Sequence, residues 1–244
     1  MKSVIYETKG RAREFNELAI NLFAGCGHAC VYCYGADVTH TDKERFINEP
    51  KPRVTPEDIQ RSAEYYSSRG EKRSILLCFV TDPYQPIEAE TKLTRTAIEI
   101  LHCYHLRVTL LTKGGKRAMR DFDLLKSNDA FATTLTLANS KDSAIWEPGA
   151  APPEERILSL KEAHKLGIET WVSLEPVVYL FQTLELIRQT MDFVDHYKVG
   201  AMNYHPHSKT IDWCSFGWEI KDYMDRLGVN YKLKKDLKQY MGIV

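Results

Sequence analysis

The sequence has no long apolar run. Its longest, Ile75-Leu76-Leu77-Cys78-Phe79-Val80, falls far short of the roughly 20 residues that cross a bilayer. Met1-Lys2-Ser3-Val4-Ile5-Tyr6-Glu7 offers no apolar core of signal-peptide length, so a cytoplasmic location with no membrane partner is expected. An excess of either charge is also missing, because 33 Lys+Arg balance 33 Asp+Glu. That balance argues against a wholesale polyanion binder and leaves a local basic patch open. Repeats, low-complexity tracts and Pro/Gly linkers are absent, so the 244 residues are read as one domain, 1–244. Within it, 1–16 forms an N-terminal arm and 214–244 a C-terminal helical extension. What remains is the mix of a folded protein, 43% hydrophobic and 27% charged.

Six β-like runs lie at 18–23, 74–80, 107–112, 130–137, 169–174 and 193–202. Their continuous β-branched and leucine-rich character suits strands buried on both faces of a parallel sheet. Helix signals fill the gaps. Thr55-Pro56-Glu57-Asp58 combines a Thr cap, a first-turn Pro and acids at the positive helix end, predicting a helix to Gly70. Further helices are expected over 93–104, 116–126, 153–167, 180–191 and 216–227, two of them closed by Gly167 and Gly228. Strands alternating with helices read as an α/β fold, either a partial (β/α)6 TIM-like barrel of parallel strands with outer helices or an open parallel sheet.

Six cysteines are present, and three fall in Cys26-Gly27-His28-Ala29-Cys30-Val31-Tyr32-Cys33-Tyr34, directly after the first strand. A cytosolic cluster of this kind holds metal or does redox work more often than it forms a disulfide framework. Three thiolates on one C-x3-C-x2-C loop can hold three irons of a [4Fe–4S] cluster, leaving the fourth iron open to a substrate or cofactor. A structural zinc site wants four ligands, and His28 would crowd it. A redox dithiol would use Cys30 and Cys33 and leave Cys26 idle.

This loop, with Tyr32 before its last cysteine, resembles the signature of radical S-adenosylmethionine (SAM) enzymes. The resemblance extends to the branch of spore photoproduct lyase and proteins described as DNA repair photolyases. It is carried by Asn21-Leu22, Cys33-Tyr34, Thr81-Asp82-Pro83-Tyr84-Gln85-Pro86-Ile87-Glu88, Leu111-Thr112-Lys113, Trp146-Glu147-Pro148 and Ala151-Pro152-Pro153-Glu154-Glu155-Arg156. The resemblance implies two cofactors, a [4Fe–4S] cluster on Cys26, Cys30 and Cys33, and SAM chelated to the open iron. One electron from a flavodoxin- or ferredoxin-like reductant would cleave SAM, and the 5′-deoxyadenosyl radical would abstract hydrogen from the substrate. The stretch ahead of the loop is short, and no separate N-terminal domain is expected there.

Functional residues of parallel α/β barrels gather at the carboxyl ends of the strands. Thr81 and Asp82 end the second strand, and Asp82 either accepts from the SAM ammonium or opens a turn with Pro83. Lys113 ends the third and suits the SAM carboxylate, or is a solvated loop lysine. Thr134 and Thr136 would reach the ribose, as would Ser173 and Glu175, and Asn203 adenine or substrate. Glu147 and Arg156 read as a structural ion pair.

In the lyase branch a tyrosine after the last cluster cysteine and a further cysteine return hydrogen. Those roles would fall here to Tyr34 and Cys214, whereas Cys78 and Cys103 read as core thiols. Lys9, Arg11 and Arg13 are the basic residues placed to touch phosphate. Lys232, Lys234, Lys235 and Lys238 read as a solvated helix face. His205 and His207 line the substrate mouth or form an exposed turn. Nucleic acid is the favoured substrate, with a peptide or small molecule as the alternative. The competing class is a non-enzymatic module binding zinc or a structural cluster.

Overall fold

The computed structural model describes residues 3–243. Its ten strands are β1 (Ile5–Glu7), β2 (Leu18–Ile20), β3 (Phe23–Ala24), β4 (Lys51–Pro52), β5 (Ile75–Leu77), β6 (Val108–Thr112), β7 (Ala130–Thr134), β8 (Glu169–Leu174), β9 (His196–Val199) and β10 (Tyr231–Leu233). Eight of them form one sheet in the order β1-β2-β5-β6-β7-β8-β9-β10. All neighbours from β2 to β10 are parallel, while β1 pairs antiparallel with β2. The six expected strands are β2 and β5 to β9, side by side in chain order, as in a partial TIM-like barrel.

The two edges were not expected. β1 comes out of the N-terminal arm, and β10 out of the segment read as a helical extension. That segment holds the helix Trp213–Leu227, then β10, then the short helix Lys235–Tyr240. Gly228, at φ +67 after the longer helix, turns the chain back onto β9.

Several strands are shorter than their apolar runs, because side-chain hydrogen bonds take over where the ladder stops. The first run divides at Asn21, whose amide oxygen accepts from Phe79 N at 2.9 Å and Val80 N at 3.1 Å. Beyond it, β3 pairs with β4 as a separate ribbon at the base of the cysteine loop. The second run ends where Cys78 takes a positive φ of 42, a conformation ladders do not accommodate.

Helices cover the outer face. Pro56–Ser67 starts in a capping box, with Asp58 N donating to Thr55 Oγ1 and Thr55 N to the Asp58 carboxylate. It buries Ile59 and Ala63 in the main core, with Leu18, Ile20, Ile75, Leu77, Val108, Leu110, Phe131 and Val172. The helix expected over 116–126 is two short pieces, Lys116–Met119 and the 3-10 turn Phe122–Leu124. Between them the buried Asp121 carboxylate is drawn to Arg120 and Arg95.

The inner face differs because strand side chains alternate. Ala130, Ala132 and Trp171 cluster there with Leu111 and Phe15, the last contributed by the arm. Phe15 sits 6.3 Å from the Trp171 ring. Lys198 Nζ lies 4.1 Å over Trp171 and donates to Phe15 O at 2.7 Å. Leu111 and Phe15 of this layer line a cavity at the carboxyl ends of the strands.

Candidate active site

The cavity has a volume of about 610 Å³. Cys26, Cys30 and Cys33 line one side, and Cys78, Thr81, Asp82, Lys113, Thr134, Ser173, Glu175 and Asn203 continue the wall from successive strand ends. Lys9, Arg11 and Phe15 of the arm and Lys234 after β10 close the far side.

The cysteine loop is held by buried polar side chains. The Gln85 amide donates to Gly25 O at 3.1 Å and accepts from Gly27 N at 2.9 Å, so it clamps the loop's first turn. Gly25 adopts φ +83, and a Cβ there would lie 2.6 Å from Phe46 O. The Trp146-Glu147-Pro148-Gly149 turn packs so closely that a Cβ on Gly149 would come within 2.2 Å of Gly27 O. Burial pushes the Cys26 thiol well above its ordinary value. Cys30 rises to about 12 for the same reason, with Lys113 opposing. Binding iron would therefore release protons.

Asp82 is a junction of the framework. It accepts from Tyr84 N at 2.8 Å, Thr112 Oγ1 at 2.6 Å and Lys113 N at 2.7 Å, with His28 Nδ1 at 3.5 Å. Its lone pairs are thus committed to the chain, and the turn reading of Asp82-Pro83 describes it better than a SAM contact. Thr81 Oγ1, beside it, is buried without a hydrogen-bond partner. Lys113 Nζ lies 5.6 Å over the Tyr32 ring and 3.9 Å from Glu147.

Glu147 and Arg156 form the expected ion pair, at 2.6 Å and wholly buried. Burial alone would raise the Glu147 carboxyl, but Arg156 and Lys113 hold it below its usual value. Tyr32 donates its hydroxyl to the same carboxylate, fixing the ring between Cys30 and Cys33.

Other expectations need correction. Thr136 does not line the cavity; it lies behind Tyr32, 3.3 Å from its hydroxyl, while Thr134 faces in. Thr134 follows Ala130 and Ala132 on the inward face, and the strand ends there, so the alternation does not carry on to Thr136. Glu175 lines the wall, but Lys234 donates to its carboxylate. Burial raises Glu175, and Lys234 opposes the rise. Lys234 is 1% exposed and sits 3.9 Å over the Phe15 ring, so it does not belong to a solvated face. Asn203 donates to Asp236 Oδ2 at 2.8 Å and Ala201 O at 3.0 Å.

Cys214 is exposed on the first turn of Trp213–Leu227 and outside the cavity. Cys103 is exposed as well, not a core thiol. The buried thiol that does line the cavity is Cys78, which burial pushes up to about 12. Arg11 and Lys9 reach the cavity, whereas Arg13 pairs with Glu17 at 3.2 Å. His205 and His207 pack against Trp146, each at 5.3 Å, in the 3-10 turn Pro206–Thr210 region. Tyr204, unmarked by any motif, stands at the mouth.

The donor set fits a cluster with SAM: three thiols on one wall, an unpartnered buried hydroxyl and a lysine beside them. Among the described residues, no three His, Cys, Asp or Glu side chains gather as one metal ion would need. A cubane instead gives each cysteine its own iron.

The profile of the Radical SAM superfamily matches residues 20–194. The chain therefore belongs to that superfamily and is a radical SAM enzyme, whose cofactors are a [4Fe–4S] cluster and SAM. Among solved structures, it is similar to spore photoproduct lyase complexed with dinucleoside spore photoproduct. That match has a TM-score of 0.71 at 16% identity, covering 93% of this chain and 79% of the other. SuiB of Streptococcus suis bound to SAM matches at TM-score 0.66 and 15% identity, over 91% of this chain and 51% of that one. An uncharacterized protein of Methanocaldococcus jannaschii is 27% identical over 187 residues, 75% of this chain and 70% of its own. No helix among the described residues is long and apolar enough to cross a membrane.

Proposed function

We propose that this enzyme abstracts hydrogen from a nucleotide unit of a nucleic acid, in lesion repair or base modification. The observation that carries the reading is the cavity mouth. The Arg11 guanidinium lies 5.5 Å over the Tyr204 ring, which is 5.5 Å from the Tyr34 ring at 44°. Tyr204 is 72% exposed and held at φ +65, a conformation that a non-glycine residue keeps where its surroundings impose it. Exposed aromatic rings stack bases, and Arg11 with Lys9 supplies charge for phosphate.

The chemistry supplied by a cluster and SAM bound here is hydrogen abstraction from an unactivated C–H bond. Cys26, Cys30 and Cys33 hold the cluster. Lys113 meets the SAM carboxylate, and Thr81 and Ser173 supply hydroxyls, while Glu175 and Asn203 close the wall beside the nucleoside. Tyr34 and Cys78 present an O–H and an S–H to the cavity, the two groups placed to return hydrogen. Burial keeps both protonated, raising Tyr34 above its ordinary value and Cys78 to about 12. The enzyme takes its electron from a flavodoxin- or ferredoxin-like protein of the cytoplasm.

The test is binding of single-stranded and ultraviolet-irradiated oligonucleotides to the reconstituted enzyme across a salt titration. Affinity that falls steeply with salt, and faster 5′-deoxyadenosine formation with the bound strand, are expected. No binding at low salt would turn the reading towards a peptide or small molecule.

A further inference from the structure

His28, inside the cysteine loop, is 2% exposed and clasped on both ring nitrogens. Arg117 Nη2 lies 3.0 Å from Nε2, and Asp82 Oδ2 lies 3.5 Å from Nδ1. A guanidinium only donates, so Nε2 is the acceptor and Nδ1 carries the hydrogen that faces Asp82. The clasp extends to the backbone. Arg117 Nη2 reaches Gly149 O at 3.3 Å, and Gly149 N donates to His28 O at 2.9 Å.

Arg117 itself is unusual. Arg156, buried, and Arg120, exposed, each have carboxylate partners at 2.6 or 2.7 Å. Arg117 forms no ion pair among the described residues, and its Nε is buried without a hydrogen-bond partner. Asp82 faces the opposite side of the imidazole, and its oxygens are taken by Thr112, Tyr84 and Lys113. Glu155, the nearby acid on the helix Pro153–Lys165, pairs instead with Lys116 at 3.4 Å. A half-buried cation with no counter-ion is costly unless a negative group lies near. Three thiolates around a [4Fe–4S] core make such a group, and its net negative charge grows by one on reduction.

We propose that Arg117 is the counter-charge of the cluster, a positioning residue that orients His28 behind the cysteine loop and raises the cluster's reduction potential. Net charge and hydrogen bonding around the sulfurs are among the terms that set such potentials. A cation here that is not bound to a carboxylate favours the reduced state and so eases electron entry. The inference rests on the superfamily assignment and is independent of the substrate.

The test is a redox titration of the reconstituted enzyme followed by electron paramagnetic resonance, with iron and sulfide measured per chain. In Arg117→Gln the ratio of reduced to oxidised cluster at a fixed potential should fall roughly tenfold, which for one electron is about 59 mV. Arg117→Lys should titrate near the parent enzyme. If Arg117→Gln loads no iron while Arg117→Lys loads it and keeps the parent midpoint, the charge is again the operative feature. A parent midpoint in Arg117→Gln, an equal shift in both variants, or loss of iron from both would overturn the proposal.

Discussion

On the cysteine-loop side of the cavity, polar side chains are turned upon the protein itself. Gln85 clamps Gly25 and Gly27, Asp82 gathers three strand-end donors, and Glu147 binds Arg156 and Tyr32. On the opposite side, Arg11 and Tyr204 stand at the mouth, above a floor of Phe15 and Lys234. The first side is a cradle bonded mostly within the protein before any ligand arrives, Thr81 Oγ1 and Arg117 Nε being the exceptions. The second presents charge and aromatic surface with capacity left over. On the proposed function, that difference separates the machinery that holds cofactors from the surface that selects a substrate, and substitutions on the two sides should fail in different ways.

The largest effect is expected at the cradle's centre. Cys30→Ala should remove cluster binding and abolish 5′-deoxyadenosine formation, measured as iron per chain and by chromatography. Retained SAM cleavage would contradict the assignment of the loop. Next comes the buried pair behind it. Glu147→Gln leaves Arg156 without its counter-ion, and loss of one partner of a buried pair costs about 3–5 kcal/mol. Chemical denaturation of the apoprotein should show that loss, whereas a change below about 1 kcal/mol would place the pair among exposed ones.

A smaller effect should follow when the cradle stands and only a ligand contact is removed. Lys113→Met should retain iron and weaken SAM binding roughly 30-fold, about 2 kcal/mol for one charge-assisted contact. Equilibrium dialysis on the reconstituted cluster measures it. Unchanged affinity would mean that Lys113 serves Glu147 and Tyr32 alone.

The same contrast explains what could be read from the sequence. The cradle is local: Cys26 to Cys33, Thr81 to Gln85 and Lys113 lie in compact motifs, and each motif follows a strand with a strong apolar run. Their places at the strand ends were therefore legible. Their hydrogen bonds were not, so Asp82 read as a ligand contact although its donors, Thr112 and Lys113, lie about thirty residues away. The far side is assembled from the two ends of the chain. β10 has three residues and Lys234 sits in a lysine-rich stretch, so neither carries an apolar period that marks it as buried. Its burial depends on Glu175 and Phe15, partners that no local pattern announces. Cys78 is the core thiol the sequence suggests, and it borders the cavity as well. Its run looks continuous in the sequence, whereas the strand stops at Leu77 and Cys78 takes a positive φ.

The smallest expected effect tests the mouth by itself. Tyr204 is exposed, so truncating it removes little core packing. Its ring touches Tyr34 and Arg11, neither of which holds the cysteine loop. Tyr204→Ala should therefore leave iron content, SAM affinity and the rate of 5′-deoxyadenosine formation measured without substrate at parent values. Loss of one stacking surface should weaken oligonucleotide binding by about 1 kcal/mol, roughly fivefold. Tyr204→Phe should restore it, because stacking needs the ring and not the hydroxyl. A variant that loses SAM cleavage along with strand binding would show that mouth and cradle are one coupled unit. Stacking would then be the wrong account of why Tyr204 is held at a positive φ.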